Sequence, residues 1–136
     1  DLFTGSGALG LEALSRGAAH ATLIDSSKPV IEQLRQNLQL LNADNATLVH
    51  ASAQSWLQQQ TSGEQGYDLV FLDPPFRQGM LAECCTLLEQ QQLLAADALI
   101  YIEVERELKP LAIPEHWQVL RQKESGQVSS YLCQRG

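Results

Sequence analysis

Two short stretches hold the residues whose types and spacing could do chemistry. The first, Asp1-Leu2-Phe3-Thr4-Gly5-Ser6-Gly7-Ala8-Leu9-Gly10, carries Gly-x-Gly-x-x-Gly at the mouth of a helical pattern that starts near Ala8. Glycines at this spacing serve a tight strand-to-helix turn, a backbone that can approach a ligand closely, and close packing of helix on sheet. The helix start adds unpaired N–H groups and a positive dipole end. Dinucleotide-binding folds use the same motif, so the residue ahead of it matters. Asp1, four residues before Gly5, would repel a pyrophosphate. It suits a ligand that carries a cation, as the amino group and sulfonium of S-adenosylmethionine do. These residues read as a methyl-donor site.

The second stretch is Asp73-Pro74-Pro75-Phe76, directly after the apolar run Tyr67–Leu72. Two prolines cannot continue a central strand, because both lack the N–H donor and each restricts the residue before it. The result is a stiff turn that fixes the Asp73 carboxylate and the Pro74 carbonyl. Two such acceptors suit the hydrogens of an exocyclic amine on a planar ring, and Phe76 offers a face for the ring to stack on. Arg77, just past the turn, is a candidate contact to a flanking phosphate. Asp25, twenty residues after Gly5, can accept bidentate hydrogen bonds from a ribose diol, a role that fits nicotinamide cofactors equally.

Positioning these residues requires alternating strands and helices. Ala8–Arg16 reads as a short helix with Leu9, Leu11, Ala13 and Leu14 inward, ended by Gly17. His20–Asp25 reads as a short buried strand, Ala21-Thr22-Leu23-Ile24, that finishes on an acid. The next helix is capped by Ser26 or Ser27, accepts Pro29 in its first turn, and places Val30, Ile31, Leu34, Leu38 and Leu41 at helical spacing. A turn at Asn42–Asn45 leads to a strand over Thr47–His50 and a helix over Ala53–Gln60, followed by a polar loop over Thr61–Gly66. Tyr67–Leu72 reads as a strand buried on both faces, Met80–Gln92 as an amphipathic helix, and Ala98–Ile102 as a further buried strand. Arg106–Glu115 is a connection, and Trp117–Lys123 and Gln127–Cys133 are strands joined around Ser125-Gly126.

The alternation predicts one domain over 1–136: an α/β, doubly wound, Rossmann-like sheet, mostly parallel, with a C-terminal antiparallel hairpin. Its first strand is expected before Asp1. In such a sheet ligands bind at the carboxyl ends of the strands, where Asp1, Asp25, His50 to Ser52 and Asp73 all fall.

Composition sets the limits. A hydrophobic fraction of 44% over 136 residues fits a globular fold, and no apolar run approaches the roughly 18 residues of a membrane span. Cys84, Cys85 and Cys133 make no disulfide framework and read as buried apolar residues in a reducing cytoplasm. Trp56 and Trp117 read as core aromatics, and His20, His50 and His116 take structural roles. No metal-ligand spacing is present. Nine basic residues against sixteen acidic ones give a net charge of −7, an unusual balance for a protein that grips phosphates.

The constellation resembles the class I S-adenosylmethionine-dependent methyltransferases, and among them the amino-methyltransferases with an Asp/Asn-Pro-Pro-aromatic signature. The first block through Leu11-Glu-Ala-Leu-Ser-Arg16-Gly17, the Asp-Pro-Pro-Phe turn and Ala98-Leu-Ile-Tyr-Ile-Glu103 resemble the RsmD-like family, which methylates N2 of a guanine in small-subunit (16S) ribosomal RNA. The resemblance implies that Asp1, Phe3, Gly5 and Gly7 surround the methionine moiety, Asp25 holds the ribose, and Ser52 and Ala53 meet the adenine edge. Related enzymes often carry an acid where Ser52 stands. Asp73, Pro74 and Phe76 are implied to position the guanine, with Pro75 and Arg77 on the substrate side. A basic segment usually precedes the first strand in this family.

The expected activity is therefore direct methyl transfer from S-adenosyl-L-methionine, without metal, in the cytoplasm. The partner is ribosomal RNA or the assembling small ribosomal subunit, and the protein is expected to be a monomer without membrane attachment. The residues leave other acceptors open, adenine N6 of DNA or a protein glutamine amide, as well as a non-catalytic nucleoside-binding or NAD-linked domain.

Overall fold

The structure is a computed structural model that describes residues 1–61 and 66–136. The polar loop expected over 61–66 therefore lies, at 62–65, outside the described residues. Two compact units divide the chain at Ala53/Gln54.

In the first unit the elements are α1 (Ala8–Ser15), β1 (Ala21–Asp25), α2 (Lys28–Leu40) and β2 (Ala46–His50). β1 and β2 pair in parallel, in register from Ala21 with Ala46 to Asp25 with His50. α2 forms where the sequence dictates. The Ser27 hydroxyl accepts from Val30 N at 3.4 Å, Pro29 lies in the first turn, and Ile31, Leu34 and Leu38 are buried. Leu41, expected on that stripe, is 65% exposed because it caps the helix end and turns away from the buried row. In α1 only Gly10 is fully buried, and Leu9, Leu11, Ala13 and Leu14 are half-buried.

The second unit holds α3, which runs Ala53–Gln59 from the unit boundary, then β3 (Tyr67–Leu72), α4 (Met80–Gln90), β4 (Leu94–Glu105), β5 (Trp117–Ser125) and β6 (Val128–Arg135). The strand order is β3-β4-β6-β5. β3 and β4 are parallel, joined by the α4 crossover, and β6 pairs antiparallel with both β4 and β5. α4 buries Leu81, Cys84, Cys85 and Leu88, the i, i+3, i+4, i+7 row of an amphipathic helix. Ala98, Ile100, Ile102 and Val104 are the buried face of β4, and Tyr131 and Cys133 that of β6.

The fold class expected from the alternation is present: four of the six strands pair in parallel and the last two form an antiparallel hairpin. Three details differ. β4 is seven residues longer than the expected Ala98–Ile102, four at its start, where Leu94 pairs with Tyr67, and three at its end, where β6 pairs through Glu105. β3 is not buried throughout, since Tyr67 is 37% and Leu69 41% exposed, and only Val70 and Leu72 are buried. Trp56 is half-buried against the Tyr67 ring rather than in the core, whereas Trp117 is buried. All three cysteines are free and buried, and burial pushes the Cys84 and Cys133 thiols up to about 11.

Candidate functional site

In the first unit the chain from Asp1 to Thr4 is strung along β1. The Asp1 backbone nitrogen donates to Thr22 O, Ile24 N donates to Asp1 O, and Thr4 N donates to Ile24 O. Past Thr4 the chain turns. Gly5 and Gly7 both take positive φ, +53° and +81°, a region where a Cβ is strained. A Cβ on Gly7 would also meet Leu34 Cδ2 at 2.5 Å, and one on the helical Gly10 would meet Leu23 Cδ2 at 2.3 Å. The glycines therefore divide their roles. Gly5 has open space over its Cα, while Gly7 and Gly10 seat α1 against α2 and β1.

Two acids of this unit, Asp1 and Asp25, converge on that turn. Asp1 Oδ2 accepts from the Thr4 hydroxyl at 3.1 Å. Its Oδ1 is buried and, among the described residues, has no hydrogen-bond partner, an acceptor left ready for a donor. Asp25, the last residue of β1, takes the Gly5 N–H on Oδ2 at 3.0 Å and the Ser27 N–H on Oδ1 at 2.9 Å. The capping role falls to Ser27, which leaves each Asp25 oxygen with acceptor capacity for a diol. Phe3 is half-buried inside the turn. Ala51 N donates to Asp25 O and so ties the end of β2 to that of β1. Half-buried Ser52 follows, and buried Ala53 opens α3, so its N–H has no partner within the helix. His50 Nε2 pairs with Ser26 O at 3.0 Å and His20 Nε2 with Thr47 Oγ1 at 2.8 Å.

In the second unit Asp73 follows the last residue of β3. It is half-buried, Pro74 is buried, Pro75 is exposed and Phe76 is 38% exposed. The turn thus presents an aromatic ring to solvent, where a core role would hide it. Arg77 has φ +62°, and its backbone N–H donates to Glu105 Oε2 at 3.0 Å. Its side chain is exposed. Burial raises the Asp73 carboxyl above the ordinary aspartate range, and Glu103 adds to this by its charge and by a hydrogen bond.

The neighbours of Asp73 were not singled out from the sequence. They are Glu103 and Tyr101, whose hydroxyl donates to Glu103 Oε1 at 2.7 Å. The signal that could have found them is the alternation of β4, which sends Tyr101, Glu103 and Glu105 to one face.

Among the described residues no group of three or more His, Cys, Asp or Glu side chains could hold a metal ion. No described helix is long and apolar enough to cross a membrane. The donor set fits instead a nucleoside that carries a cation: acids at Asp1 and Asp25, and an open glycine between them.

The family described as conserved hypothetical protein 95 matches residues 1–134. The chain is 49% identical over 135 residues to ribosomal RNA small subunit methyltransferase D of Escherichia coli (strain K12), which spans 99% of this chain and 67% of that protein. A solved Escherichia coli structure, provisionally described as a methyltransferase, shares 49% identity and a TM-score of 0.93 over 99% of this chain and 75% of that one. At 16% identity, a Streptococcus mutans protein solved with SAH and provisionally described as a methyltransferase has a TM-score of 0.73, covering 100% of this chain and 86% of that one; this is a likeness of fold alone.

Proposed function

The chain belongs to the family described as conserved hypothetical protein 95, the RsmD-like methyltransferases of class I fold, and from that premise we propose that it transfers a methyl group to N2 of a guanine in small-subunit ribosomal RNA. The observation that carries the reading is the half-buried Asp73 at the head of the Asp-Pro-Pro-Phe turn, followed by an exposed Phe76. The relative named ribosomal RNA small subunit methyltransferase D supports the acceptor class.

S-adenosyl-L-methionine, when bound, supplies an electrophilic methyl group on a sulfonium. For it, Asp1, Phe3, Gly5 and Gly7 form the methionine end of the site, Asp25 holds the ribose through its spare acceptor capacity, and Ser52 with the Ala53 N–H meets the adenine edge. Asp73 and the Pro74 carbonyl accept the two amine hydrogens, which keeps electron density on nitrogen and orients its lone pair for attack. Phe76 stacks on the base, Pro75 stiffens the bend beneath it, and Arg77 reaches a flanking phosphate. Unstacking the base from folded RNA costs a few kcal/mol, about the worth of one or two stacking contacts. Alignment supplies most of the acceleration, because the chemistry needs no covalent intermediate on the enzyme. The protein works as a monomer in the cytoplasm, on ribosomal RNA or the assembling small subunit.

The test is transfer of tritiated methyl from labelled donor to small-subunit ribosomal RNA. Label is expected at guanine N2, lost in Asp73→Ala while binding of S-adenosylhomocysteine persists. Label in protein or in DNA adenine overturns the acceptor assignment, and normal transfer by Asp73→Ala overturns the mechanism.

A further inference from the structure

The register of the second unit says more about Asp73 than the motif does. β3 and β4 pair Phe71 with Tyr101 and Leu72 with Ile102. The Phe71 and Tyr101 rings meet edge to face at 6.1 Å. One further residue along both strands sets Asp73 beside Glu103, on the half-buried face that also carries Tyr101 and Glu105. On its other flank β4 places Ser130 of β6 opposite Glu103. The Tyr101 hydroxyl, 2.7 Å from Glu103 Oε1, fixes the Glu103 side chain. Among the described residues no salt bridge involves Asp73 or Glu103. Burial and the adjacent Glu103 carboxylate, with no cation between the two, favour the protonated form of Asp73.

We infer that Glu103 is a positioning residue for methyl transfer: held by Tyr101 against Asp73, it makes the two carboxyls one pair that takes up the proton leaving the methylated nitrogen. The inference rests on the reading of Asp73 given above. The acceptor nitrogen forms a bond to the methyl carbon with its lone pair as the carbon–sulfur bond breaks, and that electron pair stays on sulfur. The nitrogen is then cationic. Its N–H bond breaks, the electrons return to nitrogen, and the proton passes to Asp73, leaving a neutral methylamine. Burial raises the proton affinity of Asp73, and Glu103 adds to it. The other groups on this face are the hydroxyls of Tyr101 and Ser130 and the Glu105 carboxylate, which the Arg77 N–H engages.

Glu103→Gln keeps the size of the side chain and an oxygen for Tyr101, and removes the charge. In the free protein, carboxyl carbon-13 titration, with Asp73→Asn to identify the signal, should show Asp73 titrating about one pH unit lower in Glu103→Gln. In the rRNA methylation assay the variant should lose about tenfold in kcat at neutral pH, keep its KM for the donor, and carry its acidic limb to lower pH. A merely structural role lowers the rate without moving that limb. Wild-type positions for both the titration and the limb overturn the inference, whatever the rate. If wild-type protein transfers nothing to RNA, the functional reading falls and the proton-accepting role falls with it, even where the titration moves.

Discussion

The Gly5 backbone N–H donates to Asp25 Oδ2 at 3.0 Å, so the glycine turn and the end of β1 are built as one piece. The bond sets the direction of the carboxylate before any ligand arrives, while Ser27 N holds its other oxygen at 2.9 Å. Asp25→Asn replaces one acceptor with an NH₂ group that faces one of these two N–H donors. Affinity for S-adenosylhomocysteine, measured by calorimetry, is expected to fall by about 1–3 kcal/mol, roughly five- to 150-fold. Unchanged affinity removes Asp25 from the binding site.

Gly5, Gly7 and Gly10 are expected to separate in stability. Gly10→Ala meets Leu23, a fully buried strand residue, and overpacking of this kind costs about 1–3 kcal/mol. Gly7→Ala meets Leu34 and adds the strain of φ +81°, so it should cost more. Gly5→Ala carries only the strain of φ +53°, with open space around its Cβ. Urea unfolding ranks the three, and an equal cost at Gly5 and Gly7 contradicts the packing argument.

Asp73→Asn should abolish transfer and stabilise the fold. The folded carboxyl lies above its ordinary range through burial and Glu103, so the unfolded chain holds the ionised form more readily. Ionisation at neutral pH therefore works against folding, and this penalty vanishes below the ordinary aspartate range, where both states are protonated. The gain of the variant should be full at neutral pH and fade as the solution is acidified. Unfolding midpoints across pH decide it, and a gain that grows on acidification contradicts the sign.

Glu89 should behave in the opposite way. Its carboxylate takes Arg135 Nε on both oxygens at 3.1 and 2.9 Å, Trp117 Nε1 at 2.7 Å and His116 Nε2 at 3.1 Å. Burial alone would push this acid up, but the hydrogen bonds from Arg135 and Trp117 outweigh it and hold it below the ordinary glutamate range. Its stabilising effect is thus complete above that range and lost as the pH falls through the lowered folded value. Glu89→Gln should cost about 1–3 kcal/mol near pH 7 and flatten the loss of stability as the pH falls through and below the ordinary glutamate range. Parallel acid profiles for the two proteins argue against the assignment.

Much of this was legible in the sequence because local rules and the fold agree. Glycine spacing marks the turn before α1, Ser27 and Pro29 mark the start of α2, and the paired prolines mark the end of β3. What the sequence hid depends on register. Glu103 reads as one acid among sixteen until the pairing of Leu72 with Ile102 sets it next to Asp73. The clasp of Glu89 by Trp117, His116 and Arg135 gathers residues up to 46 positions apart, which no periodicity reveals. The exposed half of β3 was missed because its apolar composition resembles that of an interior strand, and the strand lies at the end of its order.

The C-terminal hairpin carries no signature residue, yet it determines how firmly Glu103 stands. β6 is hydrogen-bonded to β4 from Leu99 through Glu105, and β5 closes its far side. The strand beneath the acid is therefore braced from two directions, by β3 and by β6. A side chain on so stiff a pedestal keeps its aim, so this plain ribbon bears directly on the role proposed for Glu103.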